Sequence, residues 1–181
     1  VSAKKQAADA ESHLAEALKR ATEAAAALER IKSPRRLTNV PELIATLTAF
    51  KGTEYTFSAV FADEESLLLL KIIDDVLQRS GWKRGKPVGG FPAINVFGPE
   101  NPYGVPAALT DGIRISADSP EETLELQALG LEKLRSPVKE SVFLNLSLSS
   151  VLLPPEQPAP LVNVVKGSSK TVRISIGKKP Q

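Results

Sequence analysis

Between Thr53 and Trp82 the chain reads "TEYTFSAVFADEESLLLLKIIDDVLQRSGW". Its first ten residues alternate Tyr55, Phe57, Ala59 and Phe61 with other side chains, the period-two pattern of a strand with one buried face. Asp63 then stands at a helix N-cap position, and Glu64 and Glu65 place negative charge in the first turn. An apolar body runs from Leu67 to Leu77 before Arg79 and Gly81 close the helix. A strand passing into a capped, mostly apolar helix is the repeating unit of a sheet with helices packed on it.

The same reading extends in both directions. "RRLTNVPELIATLTAFKG" (Arg35–Gly52) is expected to form a short helix, with Pro41 near its start, Leu43, Ile44, Leu47 and Phe50 on one face, and Gly52 as the stop. Downstream, "FPAINVF" (Phe91–Phe97) and "GIRISA" (Gly112–Ala117) read as strands. "DSPEETLELQALGLEKLRSP" reads as a helix capped by Ser119, with Pro120 at its first position. "VFLNLSLSSV" (Val142–Val151) alternates Leu144, Leu146 and Leu148 with Asn145, Ser147 and Ser149, which predicts a half-exposed strand. The last stretch, "LVNVVKGSSKTVRISIGKKP", holds two β-prone runs around a Gly-Ser hairpin turn, with Val172, Ile174 and Ile176 alternating. The expected fold class is α/β: a long N-terminal coiled-coil helix over residues 1–34, then a compact mixed-sheet α/β sandwich domain over residues 35–181.

The coiled-coil expectation comes from residues 2–32, which contain no glycine or proline and are dominated by strong helix formers. Alternating steps of four and three select Ala3, Ala7, Ala10, Leu14, Ala17, Ala21, Ala24, Leu28 and Ile31. All are apolar, a heptad seam that helices bury against one another, with Leu18 and Ala25 widening it. Because alanine buries little area at ~25 cal/mol per Å², the seam predicts close but weak packing and a marginal homo-oligomer. The alternative is one helix docked on the domain. His13, the sole histidine, lies beside Leu14 and is expected to be solvated.

Composition narrows the chemistry. The 181 residues contain no cysteine, so disulfides, thiolate nucleophiles and cysteine-ligated metals are excluded. The single histidine lies outside the domain, which rules out a Ser-His-Asp arrangement within it. No catalytic residues, cofactor or metal ligands are assigned, and the inventory argues against an enzyme. Residues 1–36 carry eight Lys/Arg against five Asp/Glu, residues 166–181 five against none, and the middle ten against sixteen. An acidic folded middle with basic ends counts against nucleic-acid binding, which favours a basic folded face.

Several stretches invite a ligand. "GKPVGG" (Gly85–Gly90), with Lys83, Arg84 and Lys86, resembles an anion nest, but it follows a helix C-terminus, whose dipole disfavours anions; a structural loop is expected. "KGSSKT" (Lys166–Thr171) lacks the spacing of a phosphate loop. The loops expected at the C-terminal ends of strands are better placed, because open α/β sheets bind ligands there. Asp63, Glu64 and Ser66 in one loop and Asp118 and Ser119 in the other are the weak ligand-binding candidates. With Glu65, Glu121 and Glu122 they would form an acidic cluster if the loops meet; capping of helix N-termini is the competing reading. Arg35-Arg36 is open to two readings, pairing with the acidic domain or a solvated linker, and Trp82 is expected to cover apolar core.

The order "PRRLT", "VFADEESLLLLKIIDDVLQRSGW", "DGIRIS" and a C-terminal "VRISIGKKP" resembles a group of uncharacterised bacterial membrane-anchored proteins. In that group two membrane helices precede an alanine-rich coiled coil and a small C-terminal α/β domain. The resemblance implies an upstream anchor, in keeping with a chain that lacks methionine and opens on Val1. It also implies a location at the cytoplasmic face of a bacterial inner membrane. The stretch "SVFLNLSLSSVLLPPEQPAP" departs from the pattern. The expected function is a non-catalytic oligomerising, assembly or sensing domain tethered by a coiled coil. The alternative is a small-ligand or nucleotide-binding α/β domain with its site at the strand ends.

Overall fold

The computed structural model describes residues 2–86, 93–97, 105–106, 111–120, 133–153 and 161–179. The chain divides into two units, residues 1–34 and 35–180. The first is a helix, α1 (Ser2–Lys32), uninterrupted because nothing in its sequence breaks the hydrogen-bond ladder. On its surface Arg20 donates to Glu16 at 2.6 Å and Lys19 lies 4.0 Å from Glu23, exposed i,i+4 pairs contributing a few tenths of a kcal/mol each.

The second unit runs β1 (Arg36–Leu37), α2 (Val40–Thr48), β2 (Glu54–Val60), α3 (Glu64–Arg79), β3 (Lys83–Arg84), β4 (Ala93–Ile94), β5 (Val105–Pro106), β6 (Ile113–Ser119), α4 (Val138–Val151), β7 (Leu152–Leu153), β8 (Leu161–Lys166) and β9 (Val172–Ile176). Among the described residues five strands form one mixed sheet in the order β3-β2-β9-β6-β8. β2 is parallel to β3 and β9, β6 is antiparallel to β9, and β8 is parallel to β6. Two short antiparallel pairs, β1–β7 and β4–β5, stand apart from it.

Register decides the two faces of the sheet. Phe57 and Ile115 both pair with Ile174, and Tyr55 pairs with Val172, so the apolar side chains of three strands share one face. Leu43 and Leu47 of α2, Leu69, Leu70, Ile73 and Leu77 of α3, and Leu144 and Leu148 of α4 join that face in one buried core. The other face is polar: Thr56 and Ser116 pair with Arg173, and Arg114 pairs with Ser175. Ser58 and Ser175 hydroxyls hydrogen-bond there at 2.7 Å.

The opening stretch forms the strand and the capped helix its pattern predicts, but a register shift between Phe57 and Ala59 breaks the alternation, so that Val60 is buried while Ala59 and Phe61 are half-buried. Asp63 is the N-cap of α3, its side chain accepting from the Ser66 N–H at 2.7 Å. At the other end Gly81, at φ +81°, makes the left-handed step that turns the chain out of the helix. Trp82 follows into the core, where its indole Nε1 donates to the Leu47 carbonyl at 3.1 Å.

Four expectations need correction or qualification. Val142–Val151 is not a strand but part of α4, and its buried positions Val138, Ser141, Leu144, Leu148 and Val151 follow helical spacing while Leu146 is exposed. β8 and β9 do not pair as a hairpin, because β6 lies between them and residues 167–171 cross its end. Of "FPAINVF", Ala93–Ile94 forms a strand. The helix expected after Ser119 falls largely on residues 121–132, outside the described residues.

Candidate functional site

The two predicted ligand loops lie at opposite ends of the sheet. β2 ends beside the end of β9, where Val60 pairs with Ile176 and the Phe61 N–H donates to the Ile176 carbonyl at 2.7 Å. β6 begins at that same end, with Ile113 opposite Ile176, and runs away from it. Asp63, Glu64 and Ser66 therefore sit at one end, and Asp118 and Ser119 at the other. The antiparallel step between β9 and β6, invisible in local pattern, separates them, so they form no common cluster. Glu121 and Glu122 lie outside the described residues.

At the Asp63 end, Asp63 and Ser66 are already engaged within the fold. The Asp63 carboxylate caps α3, and Glu64 is exposed in its first turn. Ser66 is buried, its hydroxyl donating to the Gly177 carbonyl at 3.2 Å. Arg35, just past α1 in sequence, is the unexpected centre of this region: its guanidinium is fully buried. Nε reaches Glu65 Oε1 and one terminal nitrogen reaches Oε2, both at 2.7 Å. The same nitrogen donates to Ser66 Oγ at 3.0 Å and the Gly177 carbonyl at 2.9 Å, and the Arg35 N–H adds a bond to Glu65 Oε1 at 2.8 Å. A bidentate carboxylate with further acceptors suits a buried guanidinium. The pairing reading of Arg35-Arg36 applies to Arg35, while Arg36 is exposed in β1.

At the other end Asp118 and Ser119 are the last two residues of β6. The Asp118 carboxylate accepts from Arg173 and from the Ser169 N–H at 3.0 Å, and the Ser119 carbonyl accepts from Gly167 N–H at 3.0 Å. Asp118 thus pins the crossing loop, and a Cβ at Gly167 would collide with its carboxylate. The Arg173 guanidinium, more than the opposing partial burial, holds the Asp118 carboxyl below its ordinary pKa, and the Ser169 N–H helps.

A third polar group lies under α3. Asp74 accepts from the Tyr55 hydroxyl at 2.6 Å, Gln78 Nε2 at 2.7 Å and Arg84 at 2.6 Å. Burial, then the bond to and charge of Asp74, push the Tyr55 hydroxyl well above the ordinary phenol pKa, so it stays a donor. Arg84 stacks on the Phe97 ring at 3.8 Å. This basic residue of the glycine-loop region therefore binds an internal carboxylate and an aromatic face. Gly85 donates to the Tyr55 carbonyl at 2.7 Å, extending the β2–β3 pairing, and residues 87–90 of "GKPVGG" lie outside the described residues. The sequence signal for this network was Asp74 on the same helical stripe as Leu70, Ile73 and Leu77, the buried side of α3.

Among the described residues no group of three or more His, Asp or Glu is placed to hold a metal ion. The feature left without a role inside its own unit is the apolar stripe of α1. Its described side chains, Lys5–Glu29, are exposed, with Leu14 at 70 %, Leu18 at 68 % and Leu28 at 50 % of full exposure. Ala7, Ala10, Ala17, Ala21 and Ala24 complete the stripe; the side chains of Ala3 and Ile31 lie outside the described residues. These leucines give one side of the helix an exposed apolar stripe. Compared with known proteins, the chain matches no protein-family model, no curated protein and no solved structure.

Proposed function

We propose that the chain is a non-catalytic assembly or sensing module in which α1 self-associates as a coiled coil and carries the α/β unit. The observation that supports this reading is the exposure of Leu14, Leu18 and Leu28 on a helix whose a and d heptad positions are apolar. The carboxylates first considered for ligand binding support it too, since Asp63 and Asp118 are occupied by backbone N–H groups and an arginine. Light scattering of the chain is expected to report an oligomer, and Leu14→Glu with Leu28→Glu a monomer of unchanged α/β fold. A monomeric wild-type chain overturns the proposal.

The membrane half of the reading rests on the resemblance to membrane-anchored proteins. No helix among the described residues is long and apolar enough to cross a bilayer, so attachment would come from sequence outside them. In fractionated bacterial cells the native protein is expected with the inner membrane and shielded from protease added outside spheroplasts. Recovery in the soluble fraction, or digestion from outside, overturns this half.

A further inference from the structure

Resting on that self-association, we infer that two copies of α1 pair antiparallel, with Leu14 opposite Ala24 of the second copy, Ala10 opposite Leu28 and Ala17 opposite Ala21. The inference comes from the order of large and small side chains in the exposed stripe. Ala7, Leu14, Ala21 and Leu28 occupy one seam position of the heptad, and Ala10, Ala17 and Ala24 the other. Parallel helices set each seam residue against its own copy. Leucine would then face leucine at 14 and 28, with alanine facing alanine at 7, 10, 17, 21 and 24. One axis separation cannot serve both kinds of layer, and the alanine layers would leave gaps that forfeit packing attraction.

Antiparallel pairing sets one seam position against the other. In the proposed register each leucine of the seam meets an alanine, so the layers at 10, 14, 24 and 28 have equal volume. The central layers, Ala17 with Ala21 and the converse, are the only small ones among the described residues. Leu18 covers them: it flanks the seam next to Ala17, and in an antiparallel pair the two Leu18 side chains fall on the same side, within ~3 Å of each other along the axis. In a parallel pair Leu18 would instead lie beside His13 of the second copy. Sliding the antiparallel pair by one heptad brings Ala7 opposite Ala24 and Ala10 opposite Ala21, and sets Leu18 against Glu11.

Area favours a long overlap. The register overlaps residues 6–32 of each copy, ~40 Å at 1.5 Å per residue. A standard interface of ~800 Å² per partner then needs a strip ~20 Å wide, a little over half the circumference of a helix ~11 Å across. A slide of two heptads shortens the overlap until the strip must cover most of the helix. The register does bring Arg20 beside its own copy on the flank opposite Leu18. Each guanidinium is already held by its own Glu16 at 2.6 Å, which offsets the like charge. The amino termini lie at opposite ends of the rod, so a membrane attachment ahead of each α1 would hold the rod along the bilayer surface.

The chain contains no cysteine, so single-cysteine variants report the geometry directly. A disulfide needs Cα atoms within ~7 Å, whereas the register separates Leu14 from its own copy, and Ala24 from its own copy, by ~15 Å along the axis. Under mild oxidation, Leu14→Cys alone and Ala24→Cys alone are expected to stay un-crosslinked, and an equimolar mixture carrying different tags to give the mixed disulfide dimer. Light scattering of each reduced variant checks that the pair still forms. A dimer in which Leu14→Cys joins to itself overturns the orientation, and a dimer whose mixture fails to cross-link overturns the register. A wild-type chain that scatters as a monomer overturns the self-association itself, a result distinct from either.

Discussion

Arg35 holds a bidentate carboxylate, a serine hydroxyl and a main-chain carbonyl from inside the protein, its guanidinium fully buried. Removing one partner of a buried ion pair leaves the other uncompensated, and Glu65 is four-fifths buried. Arg35→Ala is therefore expected to lower unfolding free energy by about 3 kcal/mol, read from urea denaturation. Asp118 makes a pH-dependent contribution. Because Arg173 lowers its folded-state pKa, the stabilisation is present above the usual aspartate value of ~3.9 and fades as pH falls through the lower folded value. Asp118→Asn is expected to cost about 1 to 2 kcal/mol at neutral pH, with the gap to wild type closing in acid, as urea melts at both pH values would show. Both residue types were visible in the sequence, but their partners lie 30 and 55 positions away.

At the scale of elements, local chemistry was most legible where capping and periodicity agreed. Asp63, the two glutamates after it and Gly81 bound α3 as their types require. α4 misled because Leu144, Leu146 and Leu148 alternate, while Val138, Ser141, Leu144, Leu148 and Val151 form the stripe that the core uses. A serine in that stripe hides it from a hydrophobic count; Ser141 is buried with its hydroxyl donating to the Val138 carbonyl at 2.7 Å. The helix makes a prediction that a strand would not. Leu148→Ala is expected to cost ~2–5 kcal/mol and Leu146→Ala under ~0.5, measured by chemical denaturation, whereas a strand burying all three leucines would lose alike at both.

At the scale of the whole molecule, two units with different sources of stability are expected to melt differently. The α/β unit has its own core, while α1 exposes its leucines and on the proposed reading gains stability from a second copy. Circular dichroism is expected to show one helical transition that moves to higher temperature with protein concentration and a second that does not, since mass action acts on the associating segment alone. By itself the sequence determined the elements whose signals are local: the uninterrupted α1, the strand and capped helix from Glu54 to Arg79, and the alternating β9. It also determined the heptad spacing of the α1 stripe, because side-chain periodicity is a property of one helix. Only the tertiary structure decided that β6 lies between β8 and β9, parallel to the first and antiparallel to the second. That insertion puts Asp63, the cap of α3, and Asp118, which holds the crossing loop, at opposite ends of the sheet. Strand order and direction depend on which edges meet across the folded chain, and no local run of residues encodes that choice.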